Sequence, residues 1–132
     1  MSNTDFLTGK KIIIADDEDF IRTHLCKRLS ETGLVALEAA SGRQVIDLME
    51  EQPDLILMDV RMPEIDGYET TRMIRSGQKS ADIPIILLSA LADQEDIDKG
   101  LAAGADEFIC KPVTFAVILE AVTRKLDSLQ IS

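Results

Sequence analysis

Four short apolar runs in this sequence end in groups that could act together on a cation and a phosphate. Asp16 and Asp17, with Glu18 and Asp19 behind them, close the first; Asp59 closes another; Ser89 and Ala90 close a third; Lys111 and Pro112 follow a fourth. Three carboxylates brought together repel, and part of the set stays protonated unless a cation joins them. Oxygen ligands without His or Cys select a hard ion, Mg²⁺ or Mn²⁺. With that ion and the Lys111 ammonium in place, the cluster would attract a phosphoryl group. One carboxylate could then attack phosphorus to give an aspartyl phosphate. Metal and ammonium would stabilise charge on the transferring oxygens, with the Ser89 hydroxyl as a neutral donor. Taken singly these residues mean little, since an aspartate after a strand is commonly a helix N-cap. The signal is their joint placement, which depends on what the apolar runs are.

The runs at 11–16, 34–39, 54–59, 84–89 and 106–110 read as strands. Their near-continuous apolar character is what a parallel sheet covered on both faces requires. Helical patterns lie between them. Ile21, Leu25 and Leu29 share one face, with Gly33 as a stop. Ser41 reads as the N-cap of a helix burying Val45, Ile46 and Met49, with Pro53 beyond its end. A short polar helix starts near Asp66-Gly67 and carries Tyr68, Met73 and Ile74. A fourth spans 93–103 and stops at Gly104. Phe115, Ile118, Leu119, Val122, Leu126 and Leu129 trace the stripe of the last. Alternating βα units imply an α/β layer fold with a parallel sheet. Ligands of such sheets bind outside the carboxyl ends of the strands, so the polar groups above converge on one rim. There is no internal repeat or linker, and a length of 132 residues predicts one domain over 1–132.

Composition narrows the field. Lys and Arg number 14 against 24 Asp and Glu, a net charge of −10. That balance argues against direct contact with nucleic acid or an anionic membrane, and suits cations or a basic protein partner. Cys26 and Cys110 form no metal or disulfide pattern; buried apolar roles and a reducing cytoplasm fit them. No signal sequence opens the chain, and no apolar stretch approaches the ~20 residues of a membrane helix. A flavodoxin-like cofactor binder would want a small-residue phosphate loop where the acidic run 16–19 stands. A phosphatase using an aspartyl phosphate would want an acid two residues after its nucleophile, where this chain has Arg61.

With Asp16-Asp17, the run DVRMPEIDG from Asp59 to Gly67, Ser89-Ala90 and Lys111-Pro112 in order, the sequence resembles the response-regulator receiver domains of bacterial two-component signalling. The resemblance covers about residues 10–128. It implies a doubly wound, flavodoxin-like sheet of five parallel strands in the order 2-1-3-4-5, with five helices. It implies Asp59 as phosphoacceptor, and Asp17 and Asp59 as direct Mg²⁺ ligands. Asp16 would act through water, and the backbone carbonyl of Arg61 would be a further ligand. Lys111 would hold the phosphoryl group, or Asp59 when none is bound, and a cis Lys111–Pro112 peptide would aim it. Ser89 would turn to a phosphoryl oxygen and the Ala90 N–H would add a donor. Phe108 stands where the family has a switch aromatic, here without a hydroxyl; a plain core ring is the competing reading. Arg61, and Leu91 two residues after Ser89, would flank the phosphoryl group and tune its hydrolysis. His24, the one histidine, is expected on the first helix away from the strand ends.

The implied partners are a sensor histidine kinase or phosphotransfer protein as donor and an effector protein or domain downstream. The implied response is a change of conformation on the face of the fourth helix, fifth strand and fifth helix, where the family can also dimerise. Slow self-dephosphorylation would reset it. The chain would thus be a signal carrier rather than an enzyme with small-molecule turnover. The alternative is a degenerate receiver acting only as a protein-binding module.

Overall fold

The computed structural model describes residues 7–77, 81–90 and 93–131, with side-chain surroundings up to residue 127. Its elements are β1 (Lys11–Ala15), α1 (Asp19–Ser30), β2 (Val35–Ala39), α2 (Gly42–Leu48) running into a 3₁₀ turn (Met49–Glu51), β3 (Leu55–Asp59), α3 (Gly67–Arg75), β4 (Ile85–Ser89), α4 (Gln94–Ala103), β5 (Glu107–Cys110) and α5 (Phe115–Ile131). The five strands are all parallel and lie in the order β2-β1-β3-β4-β5. This is the doubly wound arrangement expected.

Successive side chains of a strand point to opposite faces, and the strands fill two cores accordingly. Ile12, Ile14, Leu55, Leu57, Ile86 and Leu88 join Leu29, Ile118, Val122 and Leu126 on the α1/α5 side. Ile13, Ala15, Ile56, Met58, Ile85 and Leu87 join Val45 and Ile74 on the α2/α3 side. Every residue of β3 and of β4 is buried, whereas the edge strand β2 exposes Val35.

Helix starts follow the sequence signals. Ser41 Oγ accepts from the Gln44 N–H (3.2 Å), Asp66 Oδ1 from Glu69 (2.9 Å) and Asp93 Oδ1 from Asp96 (2.9 Å). The exception is α1, whose N-cap Glu18 makes no side-chain cap bond. Asp16 and Asp17 are therefore not used as its caps. The α1 face also differs from expectation. Ile21 is 41% exposed, while Cys26 and Leu29 are buried and Leu25 is only partly so. The helix has turned so that Arg22, Cys26 and Leu29 face inward, and the Arg22 side chain is only 12% exposed. Polar contacts at Arg22 outweigh the apolar spacing that favoured Ile21. Of the stripe expected on α5, Ile118, Val122 and Leu126 are buried; the Leu129 side chain lies outside the described residues.

Candidate functional site

Register brings the polar groups together. Ala15 of β1 pairs with Met58 of β3, so Asp16 and Asp59 emerge one step later in the same row. Ser89 pairs with Cys110, so Lys111 leaves β5 one step beyond Ser89. By strand parity Asp16, Asp59 and Lys111 follow Ile14, Leu57 and Ile109, all on the α1/α5 side. Lys111 Nζ accordingly donates to Asp59 Oδ2 at 3.0 Å and lies 3.8 Å from Asp16 Oδ2. Asp16 is 6% exposed and Asp59 8%, while Asp17 faces solvent beside them.

Backbone groups fix each carboxylate. Asp16 Oδ1 accepts from the Glu18 N–H (2.9 Å), and the Asp16 N–H donates to the Ala39 carbonyl (3.1 Å). Asp59 Oδ1 accepts from the Arg61 N–H at 3.3 Å. The chain then closes back as the Gly67 N–H donates to Val60 O (2.8 Å). Gly67 has no substitute here, because a Cβ would sit 2.8 Å from the Asp59 carbonyl oxygen and 2.9 Å from Val60 Cα. The Lys111 N–H donates to Ser89 O (2.9 Å), and the Lys111–Pro112 peptide is cis, as the resemblance implied. Ser89 is fully buried and Ala90 is exposed beside it.

The electrostatics are those of a cluster short of positive charge. Burial raises the Asp16 carboxyl above its ordinary range, and the charges of Asp59 and Asp17 add to the rise. The Glu18 N–H and Lys111 oppose it. Burial works against the Lys111 ammonium, but its hydrogen bond to Asp59 and the fields of Asp59, Asp16 and Glu18 outweigh it, so its pKa is raised. One oxygen from each of Asp16, Asp17 and Asp59 can be chosen so that all three lie within 4.8 Å of one another. Two buried carboxylates and one exposed one, all oxygen donors, fit a hard divalent ion that keeps part of its water.

Comparison with known proteins agrees with this geometry. The family model for the response regulator receiver domain matches residues 12–123. The chain belongs to that family. Among curated relatives of this receiver domain, the probable transcriptional regulator ycf27 of Galdieria sulphuraria is 42% identical over 127 residues, 93% of this chain and 49% of that protein. The chain thus spans about half the length of the curated relatives it matches. Among solved structures, the signal receiver domain of a histidine kinase from Syntrophus aciditrophicus superposes with a TM-score of 0.86 at 35% identity, covering 94% of this chain and 95% of that one. A sensor-kinase receiver domain from Pseudomonas aeruginosa PAO1, solved with a magnesium ion coordinated in its active-site cleft, gives 0.82 at 33% identity over 91% of this chain and 99% of that one.

Other residues of the receiver domain fall as follows. Phe108 is half-buried against the α2/α3-side core and packs on α4, where a Cβ on Gly100 would come within 2.8 Å of its ring. Leu91 lies outside the described residues. His24 lies on α1, as expected. It lines a groove of about 670 Å³ between α1 and the segment after β5 that also reaches Asp16 and Lys111, and its ring stacks on exposed Phe20. Sequence reasoning missed Arg22, whose Nη1 donates to the Asp16 carbonyl at 2.8 Å. The available signal was a cation in the first turns of α1 behind four acids, with Glu38 on the neighbouring strand. It also missed Tyr68, whose hydroxyl donates to the Asp96 carbonyl (3.2 Å) and ties α3 to α4.

Proposed function

We propose that this receiver domain is a phosphorylation-dependent switch that takes a phosphoryl group onto Asp59 from a phosphohistidine partner. The observation that carries the reading is the Lys111 ammonium 3.0 Å from a buried Asp59 carboxylate, with oxygens of Asp16 and Asp17 alongside. An Asp59 oxygen attacks phosphorus, the P–N bond to the donor imidazole breaks, and an acyl phosphate forms. Asp16, Asp17, Asp59 and the Arg61 carbonyl would hold Mg²⁺, which supplies neutralising charge to the phosphoryl oxygens. Lys111 then moves its hydrogen bond from Asp59 to a phosphoryl oxygen. The Ser89 hydroxyl and the Ala90 N–H provide neutral donors to the other oxygens. Recruiting Ser89 shifts the segment after β4, and Phe108 follows by repacking against Gly100, which remodels the α4–β5–α5 face. That face passes the signal to an effector or to a second copy. Slow hydrolysis of the acyl phosphate resets the domain, which has no turnover on small molecules. The donor is a sensor histidine kinase or phosphotransfer protein, and the setting is the cytoplasm.

Intact-mass measurement after incubation with acetyl phosphate and Mg²⁺ tests this reading. The expected result is a gain of one phosphoryl group that is lost without Mg²⁺ and in Asp59→Asn. A gain that survives Asp59→Asn assigns the acceptor elsewhere. No gain from either acetyl phosphate or a phosphorylated histidine donor leaves a binding module that does not switch.

A further inference from the structure

We infer that Arg22 is a positioning residue for the metal-binding loop, setting Mg²⁺ affinity through the backbone carbonyl of Asp16. The inference rests on the function proposed above. Arg22 lies in the first turns of α1 and reaches three acceptors from three parts of the chain. Nη1 donates to Asp16 O (2.8 Å), Nη2 to Asp19 Oδ1 (2.7 Å) and Nε to Glu38 Oε1 (3.0 Å). A planar guanidinium can serve such a divergent set at once, and an ammonium on a flexible stem cannot hold the same geometry.

The two carboxylates are outer anchors. The Asp19 side chain is 84% exposed and that of Glu38 45%, so these ion pairs contribute little stability by themselves. Their effect is to hold the fork against the one acceptor that matters to the site. The Asp16 main chain is thereby gripped on both sides of its Cα, its N–H by Ala39 of β2 and its C=O by Arg22. Since Glu38 precedes Ala39 on β2, both grips start from the same strand end. Asp16 follows β1 without serving as a helix cap, so this clamp, the Glu18 N–H and Lys111 are what hold it in place. Arg22 reaches the Asp16 main chain and not its carboxylate, so it acts by placement, as a partner that orients a ligand group. Loss of such partners commonly weakens metal binding ~10–100-fold.

The test is Mg²⁺ titration calorimetry on the full chain at constant ionic strength. Wild type, Arg22→Met and Arg22→Lys are compared with Arg75→Met, a destabilised control remote from the site, and with Asp17→Asn. Wild type should bind one Mg²⁺ that Asp17→Asn loses; absence of that binding defeats the underlying function rather than this inference. Both Arg22 variants should bind about tenfold more weakly, while Arg75→Met melts lower yet binds as wild type does. Labelling by acetyl phosphate in the Arg22 variants should recover at saturating Mg²⁺, because the reacting groups are untouched. Wild-type affinity in both Arg22 variants, full rescue by lysine, or equal weakening in Arg75→Met overturns the assignment. Should Arg22→Met fail to fold, the pair Asp19→Asn with Glu38→Gln frees the guanidinium without removing it. The same weakening is expected there, and unchanged affinity overturns the inference.

Discussion

Asp16 is a buried carboxyl whose charge works against the fold. Its pKa is raised, chiefly by burial, with Asp59 and Asp17 adding to the effect. The linkage runs in one direction. Its contribution to stability is complete below the unfolded carboxylate pKa of ~3.9 and is lost as pH rises through the higher folded value. At pH 7 without metal the ionised side chain is a net burden. Asp16→Asn is therefore expected to raise the metal-free melting temperature at pH 7. The gap to wild type should narrow as pH falls toward 4. Millimolar Mg²⁺ should reverse the order, because only wild type gains the ligand. A metal-free variant that melts lower than wild type would show that the Asp16 charge stabilises the fold. The two thiols make a second contrast. Cys26 is buried and burial pushes its pKa up to about 12, whereas Cys110 is exposed beside Lys111. Iodoacetamide at pH 8 should alkylate Cys110 alone in the folded protein and both cysteines in urea. Peptide mapping reads the difference, and folded-state labelling at Cys26 would refute it.

The elements owe their placement at the site to a few backbone contacts that side chains cannot replace. At the start of α3, Gly67 lies against the end of β3 so closely that any Cβ meets backbone at 2.8–2.9 Å. Gly67→Ala should therefore lower stability by ~1–3 kcal/mol in urea titration, and slow acetyl-phosphate labelling because the Asp59 strand end is displaced. At the far end of α3, Arg75 donates to the carbonyls of Gly104 (2.8 Å), Ala81 (2.8 Å) and Ile83 (2.6 Å) and to Asp106 Oδ2 (2.9 Å). Arg75→Met should lower stability by roughly 1–3 kcal/mol, since it strands acceptors at several backbone sites; a change below 0.5 kcal/mol would rule out that clamp. Strands and rim residues were legible in the sequence because apolar runs and the acids behind them are local signals. The first run ends one residue late and the other four start one residue early. For two of those four the reason is physical: the Asp54 and Asp106 carboxylates accept from the Lys11 and Ile85 N–H groups, both at 2.8 Å, and so cap the neighbouring strand. The Tyr68–Asp96 bond was illegible because it joins residues far apart in the chain through a backbone carbonyl, which leaves no residue-type signature at the accepting end. Arg22 reaches a carbonyl close by in the chain, and its only signal was its place among the acids of α1 and β2.

A molecule with net charge −10 and an acidic rim repels itself, and two kinds of cation effect must be separated. Screening is general. With a Debye length of ~10 Å at 0.1 M, added NaCl weakens repulsion between surface acids and should raise the melting temperature modestly and smoothly. The binding proposed at Asp16, Asp17 and Asp59 would be specific and would saturate. A ligand bound only by the folded state stabilises it by ~2.7 kcal/mol at one hundred times its Kd, several degrees for a domain of this size. MgCl₂ is therefore expected to raise the melting temperature well beyond NaCl at matched ionic strength, along a saturating curve. Asp17→Asn separates the two terms best. Asp17 is exposed, so its substitution leaves the metal-free fold almost unchanged, yet it removes one of the three carboxylates proposed as ligands. The variant should keep the NaCl response and lose most of the Mg²⁺ response. Equal shifts from the two salts in wild type would mean that Mg²⁺ only screens the rim. Asp16 would then remain a buried charge with no ion to neutralise it, and the phosphoryl chemistry proposed for Asp59 would lose its main source of positive charge.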